Sequence, residues 1–330
     1  MDLSLSQEQA ELVATVRSVL DKRADSRAVR AAVASEAGHD ADLWQLLCQQ
    51  IGVAALAIPE EHDGVGATLV ESVLVLEEIG RALAPVPALS SLVTAEAVLA
   101  GADEAARARL LPRLAAGEVG AFAVVTDGRA EAVLDVDLAT VLVVADGEGL
   151  YEVTDAGTTW TPSMDQTLRL GSVEVRGATR IGDAAPAVER AALVGAVGAV
   201  ALSVGAAQRG LDMTVAYSKD RVQFGRPIGS FQALKHRMAE MLVLLEMSRS
   251  ASWGAAYAVV SGDPDAAQVV HAAASYVGEA VARVAAETVQ MHGGIAITWE
   301  HDAHLVFKRA HALGRLFGAP HEHRAALRLP

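Results

Sequence analysis

The chain has 330 residues, 52% of them apolar and only 4% aromatic, with a net charge of −14 and a single cysteine, Cys48. That length can bury a sizeable core and accommodates two or three domains. The acidity argues against nucleic acid or an anionic membrane as a partner, and it requires any phosphate site to be locally basic. One cysteine permits neither an internal disulfide nor a cysteine metal set, and the first nine residues lack the basic and apolar blocks of a signal peptide. A reduced, cytoplasmic protein is expected.

In chain order, residues 3–20 carry apolar side chains at helical spacing, and Ser6 ahead of Glu8-Gln9 is a helix cap. A short helix follows over Asp42–Gln50, ending at Gly52. Residues 54–59 read as extended, leading into the acidic glycine loop 60–66, whose Gly64-Val-Gly66 is too short for a dinucleotide fingerprint. Leu69–Leu83 returns to helix, with Glu77 and Glu78 placed on its exposed side and Pro85 and Pro87 beyond its end. Residues 90–116 hold two more helices, the second opening near Asp103 and ending around Gly117.

At Gly120 the period changes. Short β-type runs at 121–125, 140–145, 150–153, 167–170 and 173–175, separated by Asp/Gly/Ser/Thr turns, predict a small antiparallel barrel or sandwich. Residues 183–187 read as a link to the C-terminal helices. These begin with a proline-free segment, Glu189–Tyr217; its most apolar part, 191–207, is at the lower length limit for a membrane span and is read as an interior bundle helix. A further helix starts near Ser230, and a long one runs over about 264–292. The expected domains are therefore 1–119, 120–185 and 186–330.

Two stretches carry chemistry. Arg221-Val-Gln-Phe-Gly-Arg-Pro-Ile-Gly-Ser-Phe-Gln232 joins two helices through Gly225, Pro227 and Gly229. Its arginines offer bidentate charge, its glycines close approach, and the following helix a favourable dipole for a phosphate-bearing ligand. The same residues also suit a plain helix–helix connection with solvated arginines. Sixty residues on, Gln290-Met-His-Gly-Gly-Ile-Ala-Ile-Thr298 closes the long helix with a Gly-Gly pair.

Together these stretches resemble the acyl-CoA dehydrogenase family, with its Arg-x-x-Phe-Gly and Gln-x-x-Gly-Gly turns. The resemblance covers nearly the whole chain and implies a mainly α, α+β fold: an N-terminal helical domain, a small central β domain and a C-terminal four-helix bundle. In that family FAD lies between the β domain of one subunit and the bundle of its neighbour. The resemblance assigns Arg221, Gln223, Phe224, Phe231, Gln232, Gln290, Gly293 and Gly294 to the half-site reaching across to the neighbour's FAD.

The other half-site departs from the family pattern. In place of the family's Thr-Glu-Pro-x-Ala-Gly-Ser-Asp-like flavin loop stands Val124-Val-Thr-Asp-Gly-Arg-Ala130, which retains only Thr126 and runs into another β-type segment. The surroundings of Trp160 do not match the segment that shelters the flavin ring. No catalytic residue is expected in this chain, because the two places that supply the family's base hold Val194-Gly-Ala-Val197 and Leu316-Phe-Gly-Ala-Pro320. Glu189 and Glu246, the other carboxylates considered, read as a cap or surface charge. His301, His304, His311, His321 and His323 lack a recognised ligand spacing, so no metal is expected.

These readings imply one subunit of an FAD-dependent acyl-CoA dehydrogenase. Its partner would be a related subunit carrying the base, as in the heterotetramers of bacterial steroid side-chain breakdown, with an acyl-CoA substrate and a flavin electron acceptor. Two alternatives stay open: a non-catalytic structural or regulatory homologue, and a homo-oligomeric flavoenzyme with an unrecognised base.

Overall fold

A computed structural model describes residues 5–328. Leu3 and Ser4, the start of the first expected helix, lie outside the described residues. The N-terminal helices are α1 (Gln7–Arg23), α2 (Ser26–Ala34), α3 (Ala41–Ile51), α4 (Leu69–Ala82), α5 (Ala88–Gly101) and α6 (Glu104–Ala115). Local chemistry sets their ends. Ser6 and Gln9 form a reciprocal capping box on α1, Asp103 caps α6, and Gly52 closes α3 in the left-handed region at φ 78°.

Two expectations fail here for identifiable reasons. Residues 54–59 are not extended: Val53–Ala55 make a 3-10 turn, and the following loop folds back so that Val65 N–H donates to Ala55 O and Gly66 N–H to Ile58 O. Glu77 and Glu78 are buried rather than exposed. Glu77 accepts from Arg249 Nε at 2.7 Å and from Trp253 Nε1 at 3.3 Å, and Glu78 accepts from Arg81 Nε at 3.1 Å. Ionic partners make burial of these carboxylates tolerable.

The β region is β1 (Gly120–Val124), β2 (Arg129–Leu134), β3 (Val141–Asp146), β4 (Gly149–Thr161) and β5 (Leu170–Asp183). They form one five-stranded sheet in the order β1-β3-β4-β5-β2. It is not wholly antiparallel, since β1 pairs with β3 in parallel. Its edge strands β1 and β2 are joined by a tight turn, and Ala121, Ala123, Val133, Leu142, Val144 and Val173 share one core. The sheet thus curls towards a small barrel. The run expected at 167–170 is mostly a turn, because Asp165 Oδ1 accepts from both the backbone and hydroxyl of Thr167; only Leu170 enters β5.

Residues 183–187 are not a linker. β5 extends to Asp183, and α7 (Ala184–Asp220) starts on the next residue, with Pro186 in its first turn, where a missing N–H costs nothing. The remaining elements are β6 (Val222–Gln223), β7 (Arg226–Pro227), α8 (Gln232–Val260), α9 (Ala266–His292), α10 (Ala303–Leu316) and α11 (Pro320–Ala325). α7 is long and apolar enough to cross a membrane, but its apolar window is 83% buried, so its side chains serve packing.

The described residues divide into two compact units: 5–75 with Ala84–Gly195, and Leu76–Leu83 with 196–328. In the first, α5 and α6 pack on β1 and β3, and Trp44 Nε1 donates to Gly117 O at 2.8 Å. In the second, α7 to α10 enclose a core that includes Val204, Leu211, Met241, Leu245, Val281 and Val306. Glycines let the end of α4 lie directly on α7 there. A Cβ on Gly80 would stand 2.2 Å from Leu202 O, and one on Gly205 would stand 1.9 Å from Glu77 O.

Candidate functional site

The connection after α7 is a two-residue β-hairpin. Val222 pairs with Pro227 and Gln223 with Arg226, and Ile228 N–H donates to Arg221 O at 2.8 Å. Both turn residues are left-handed, Phe224 at φ 52° and Gly225 at φ 75°, as a type I′ turn requires. Glycine adopts this freely, whereas phenylalanine does so at a cost of about 1 kcal/mol. The Phe224 ring is 92% exposed and meets Phe231 edge-on, 6.1 Å between centroids. Gly229 is needed where the chain leaves the hairpin, since a Cβ there would stand 2.9 Å from Ser218 O.

Side chains alternate across a strand, and directly paired residues share a face. The register therefore sets Arg221, Gln223, Arg226 and Ile228 on one side of the hairpin. Neither Arg221 nor Arg226 has a carboxylate partner among the described residues, whereas nearby Arg237 pairs with Glu287 at 3.3 Å. Between Lys219 and Arg237 there are five cationic residues and one acidic residue, Asp220, in a chain of net charge −14. The local basicity that a phosphate site demands is present. Phe231 stands at the start of α8 without capping it through a side chain, and Gln232 Nε2 lies 2.9 Å from His236 Nε2.

The second stretch ends α9. Gly293 leaves the helix at φ 65° and ψ −146°, and its N–H donates to Gln290 O. A Cβ on Gly293 or Gly294 would meet nothing within 4 Å, so this backbone borders open space. The Gln290 side chain is exposed. His292, between Gln290 and the glycines, is buried, and its Nδ1 donates to Thr288 O at 2.7 Å. Burial holds this imidazole below its usual pKa. Its ring lies 4.6 Å from Tyr217 and 4.5 Å from His301, centroid to centroid. Tyr217 O in turn accepts the Arg221 N–H at 2.9 Å. The stack thus fastens the Gly-Gly turn to the last turn of α7, and both stretches lie at one end of the helical unit. Tyr217 and His292 are the residues that sequence reasoning missed, because no spacing along the chain reports a ring contact between separate elements. The sequence offers Arg226 with Arg221 as phosphate-binding charge, though the family resemblance assigns only Arg221.

The other expected positions look different. Thr126 exchanges both backbone hydrogen bonds with Arg129 across Asp127-Gly128, whose φ values are 54° and 71°. The residues in place of the flavin loop are therefore a two-residue turn. Trp160 is half-exposed, with the Arg169 guanidinium 5.3 Å from its ring centroid; that guanidinium is held by Asp137 at 2.6 Å. Val194, Ala196 and Val197 are buried and apolar. At Leu316–Pro320 the chain turns from α10 into α11 through Gly318 at φ 116°, packed against the ring of His323. Glu189 is exposed, and Glu246 pairs with Arg249. No group of three or more metal-ligating side chains gathers among the described residues.

With this geometry in view, two family models match the chain: "Acyl-CoA dehydrogenase, N-terminal domain" over residues 6–118 and "Acyl-CoA dehydrogenase, C-terminal domain" over residues 186–325. The chain is 44% identical over 321 residues to acyl-CoA dehydrogenase IpdE2 of Mycolicibacterium smegmatis, covering 96% of this chain and 97% of that one. Among solved structures it is similar to a chain of the ChsE4-ChsE5 complex from Mycobacterium tuberculosis, with a TM-score of 0.88 and 26% identity over 98% of this chain and 97% of that one. It also resembles a chain of a Tcur3481-Tcur3483 steroid ACAD variant, with a TM-score of 0.87 and 27% identity over 98% and 97%. The two family models and the 44% identity over nearly the whole length show that the chain belongs to the acyl-CoA dehydrogenase family.

Proposed function

We propose that this chain supplies the trans half of an FAD site to a related partner subunit, within an enzyme that oxidises an acyl-CoA across its α and β carbons. FAD binding is a property at the level of the family. Arg221, Gln223, Phe224, Phe231, Gln232, Gln290, Gly293 and Gly294 are the residues proposed to reach the cofactor.

The chemistry of this end of the molecule suits that role. Arg221 presents a planar cation with no carboxylate partner among the described residues, and its fork geometry matches a phosphate. Gly293 and Gly294 offer backbone that no side chain screens. Phe224 and Phe231 offer apolar edges for the adenine and ribose side of a dinucleotide. The β domain does not fit the other half of the cofactor, because a two-residue turn at Asp127-Gly128 has neither the length nor the hydroxyls to hold a flavin ring. That asymmetry is the observation that carries the reading.

FAD, when bound, supplies the hydride acceptor for oxidation of the acyl chain. Removal of the α-proton needs a positioned base, and the two family positions for it hold buried apolar residues and a turn at Gly318 in this chain. The partner would supply that carboxylate and the flavin loop. Both structurally similar assemblies named above are described by two protein names, and one as a steroid ACAD. That likeness supports a two-subunit enzyme acting on a steroid-derived acyl-CoA, and a flavin electron acceptor is proposed with it. We also propose three domains, 1–119, 120–185 and 186–330, supported by the end of α6 at Ala115 and the start of α7 at Ala184.

Absorbance spectra of the chain purified alone, and after co-expression with a related subunit that carries the flavin loop and the carboxylate, test the reading. Little flavin is expected in the first and a yellow complex in the second. A stoichiometric, tightly held flavin in a pure homo-oligomer would sink the divided site.

A further inference from the structure

We infer that Arg226 is a further anion-binding residue of this half-site, completing with Arg221 a paired-guanidinium grip on a diphosphate. The inference rests on the FAD reading above and adds a residue that the family motif leaves unassigned.

Three observations converge on it. The hairpin register sets Arg226 beside Gln223 and on the same face as Arg221, so the two guanidinium groups can converge on one ligand. Neither has a carboxylate partner among the described residues, although the chain is strongly acidic and Arg237 nearby is paired. Finally, the Arg226 Cζ stands 4.1 Å from the centroid of the Phe231 ring. That contact uses none of the guanidinium's hydrogen-bonding capacity in a face-on arrangement, and the Arg226 side chain makes no hydrogen bond among the described residues, so its N–H groups stay free to donate. The ring also displaces water from one side of the cation, which strengthens a hydrogen bond made at its edge.

The chemical class of ligand follows from counting charges. One guanidinium, donating in bidentate fashion, satisfies one phosphate group. Two uncompensated guanidiniums on one hairpin face match two linked phosphates better than a single one. A lysine at position 226 would keep the charge but lose both the planar stack and the fork, so Arg226→Lys separates geometry from net charge.

The test uses the co-purified complex, stripped of flavin and titrated with FAD, with ADP and AMP as competitors carrying two phosphates and one. Arg226→Ala should weaken FAD and ADP binding at least about tenfold, with a smaller effect on AMP, and Arg226→Lys should recover only part of the loss. Melting temperature should hold in both, since Arg226 is exposed and in no ion pair among the described residues. Wild-type FAD and ADP affinity in Arg226→Ala, while Arg221→Ala has lost FAD, would overturn the role of Arg226 and leave the half-site standing. Equal losses for ADP and AMP would overturn the diphosphate assignment. If neither arginine matters to FAD, the half-site reading itself fails.

Discussion

Replacing Arg221 by alanine isolates the charge at the centre of the proposed half-site. The structure separates the effects on folding and on binding. The guanidinium is exposed and has no carboxylate partner among the described residues, so its removal strands no buried charge in this chain. The backbone bonds at this position, Arg221 N–H to Tyr217 O and Ile228 N–H to Arg221 O, survive in alanine. Stability should therefore change by no more than about 0.5 kcal/mol, as for a surface substitution. Loss of a charge-assisted contact to phosphate should cost about 2 kcal/mol, or roughly thirtyfold in FAD affinity. Flavin titration of the reconstituted complex, with a thermal melt of the same sample, reads both quantities. Unchanged flavin affinity and turnover would reduce Arg221 to a solvated surface charge.

Glu189→Gln and Glu246→Gln in the complex should leave turnover within a few fold, whereas loss of a true base costs at least about a hundredfold. If either abolishes dehydrogenation while flavin content and melting temperature hold, this chain carries its own chemistry. Gly205→Ala should destabilise the helical unit by about 1–3 kcal/mol or more, because its Cβ would stand 1.9 Å from Glu77 O and the helices must separate; an unchanged denaturation midpoint refutes the close crossing. His323 is held below its usual pKa first by burial and then by His271, whose Nδ1 lies 2.9 Å from its own, and His292 is also lowered by burial. Both bind protons more readily when unfolded, so their contribution to stability is complete above the unfolded value of about 6.5 and is lost as pH falls through the lower folded values. Melting temperature should drop between pH 7.5 and 5.5, and less so in His323→Gln; identical pH profiles would exclude the histidine pair as the cause.

What could be read from the sequence was local. Ser6, Gly52 and Asp103 act through bonds to residues a few positions away, so caps and helix ends were legible. Glu77 was not: its burial depends on Arg249, 172 residues downstream, and a carboxylate in a helix otherwise looks solvated. The length of β4 and β5 was hidden for a related reason. Their second halves, around Thr158–Thr161 and Arg176–Arg180, are largely exposed, and each is ordered by its ladder to the first half of the other strand rather than by hydrophobic alternation. In the site, the motif made Arg221 and the Gly-Gly pair legible. The ring stack of Tyr217, His292 and His301 joins three separate elements, and no spacing along the chain reports it.

The hairpin itself argues that this end of the molecule is shaped for contact. Stability alone would favour Asn-Gly at a type I′ turn, because asparagine tolerates the left-handed region. Phe224 occupies it instead, at a cost of about 1 kcal/mol, and leaves its ring 92% exposed. Ile297 and Trp299, just beyond the Gly-Gly pair, are 78% and 62% exposed. Covering a side chain of this size contributes about 1.5–3 kcal/mol, so burying Phe224 alone would more than offset the strain of its backbone. Nothing in the isolated chain collects that gain. Under the proposed assembly, the partner and its cofactor do, and the same contact neutralises the two guanidinium groups beside it, which have no carboxylate partner among the described residues.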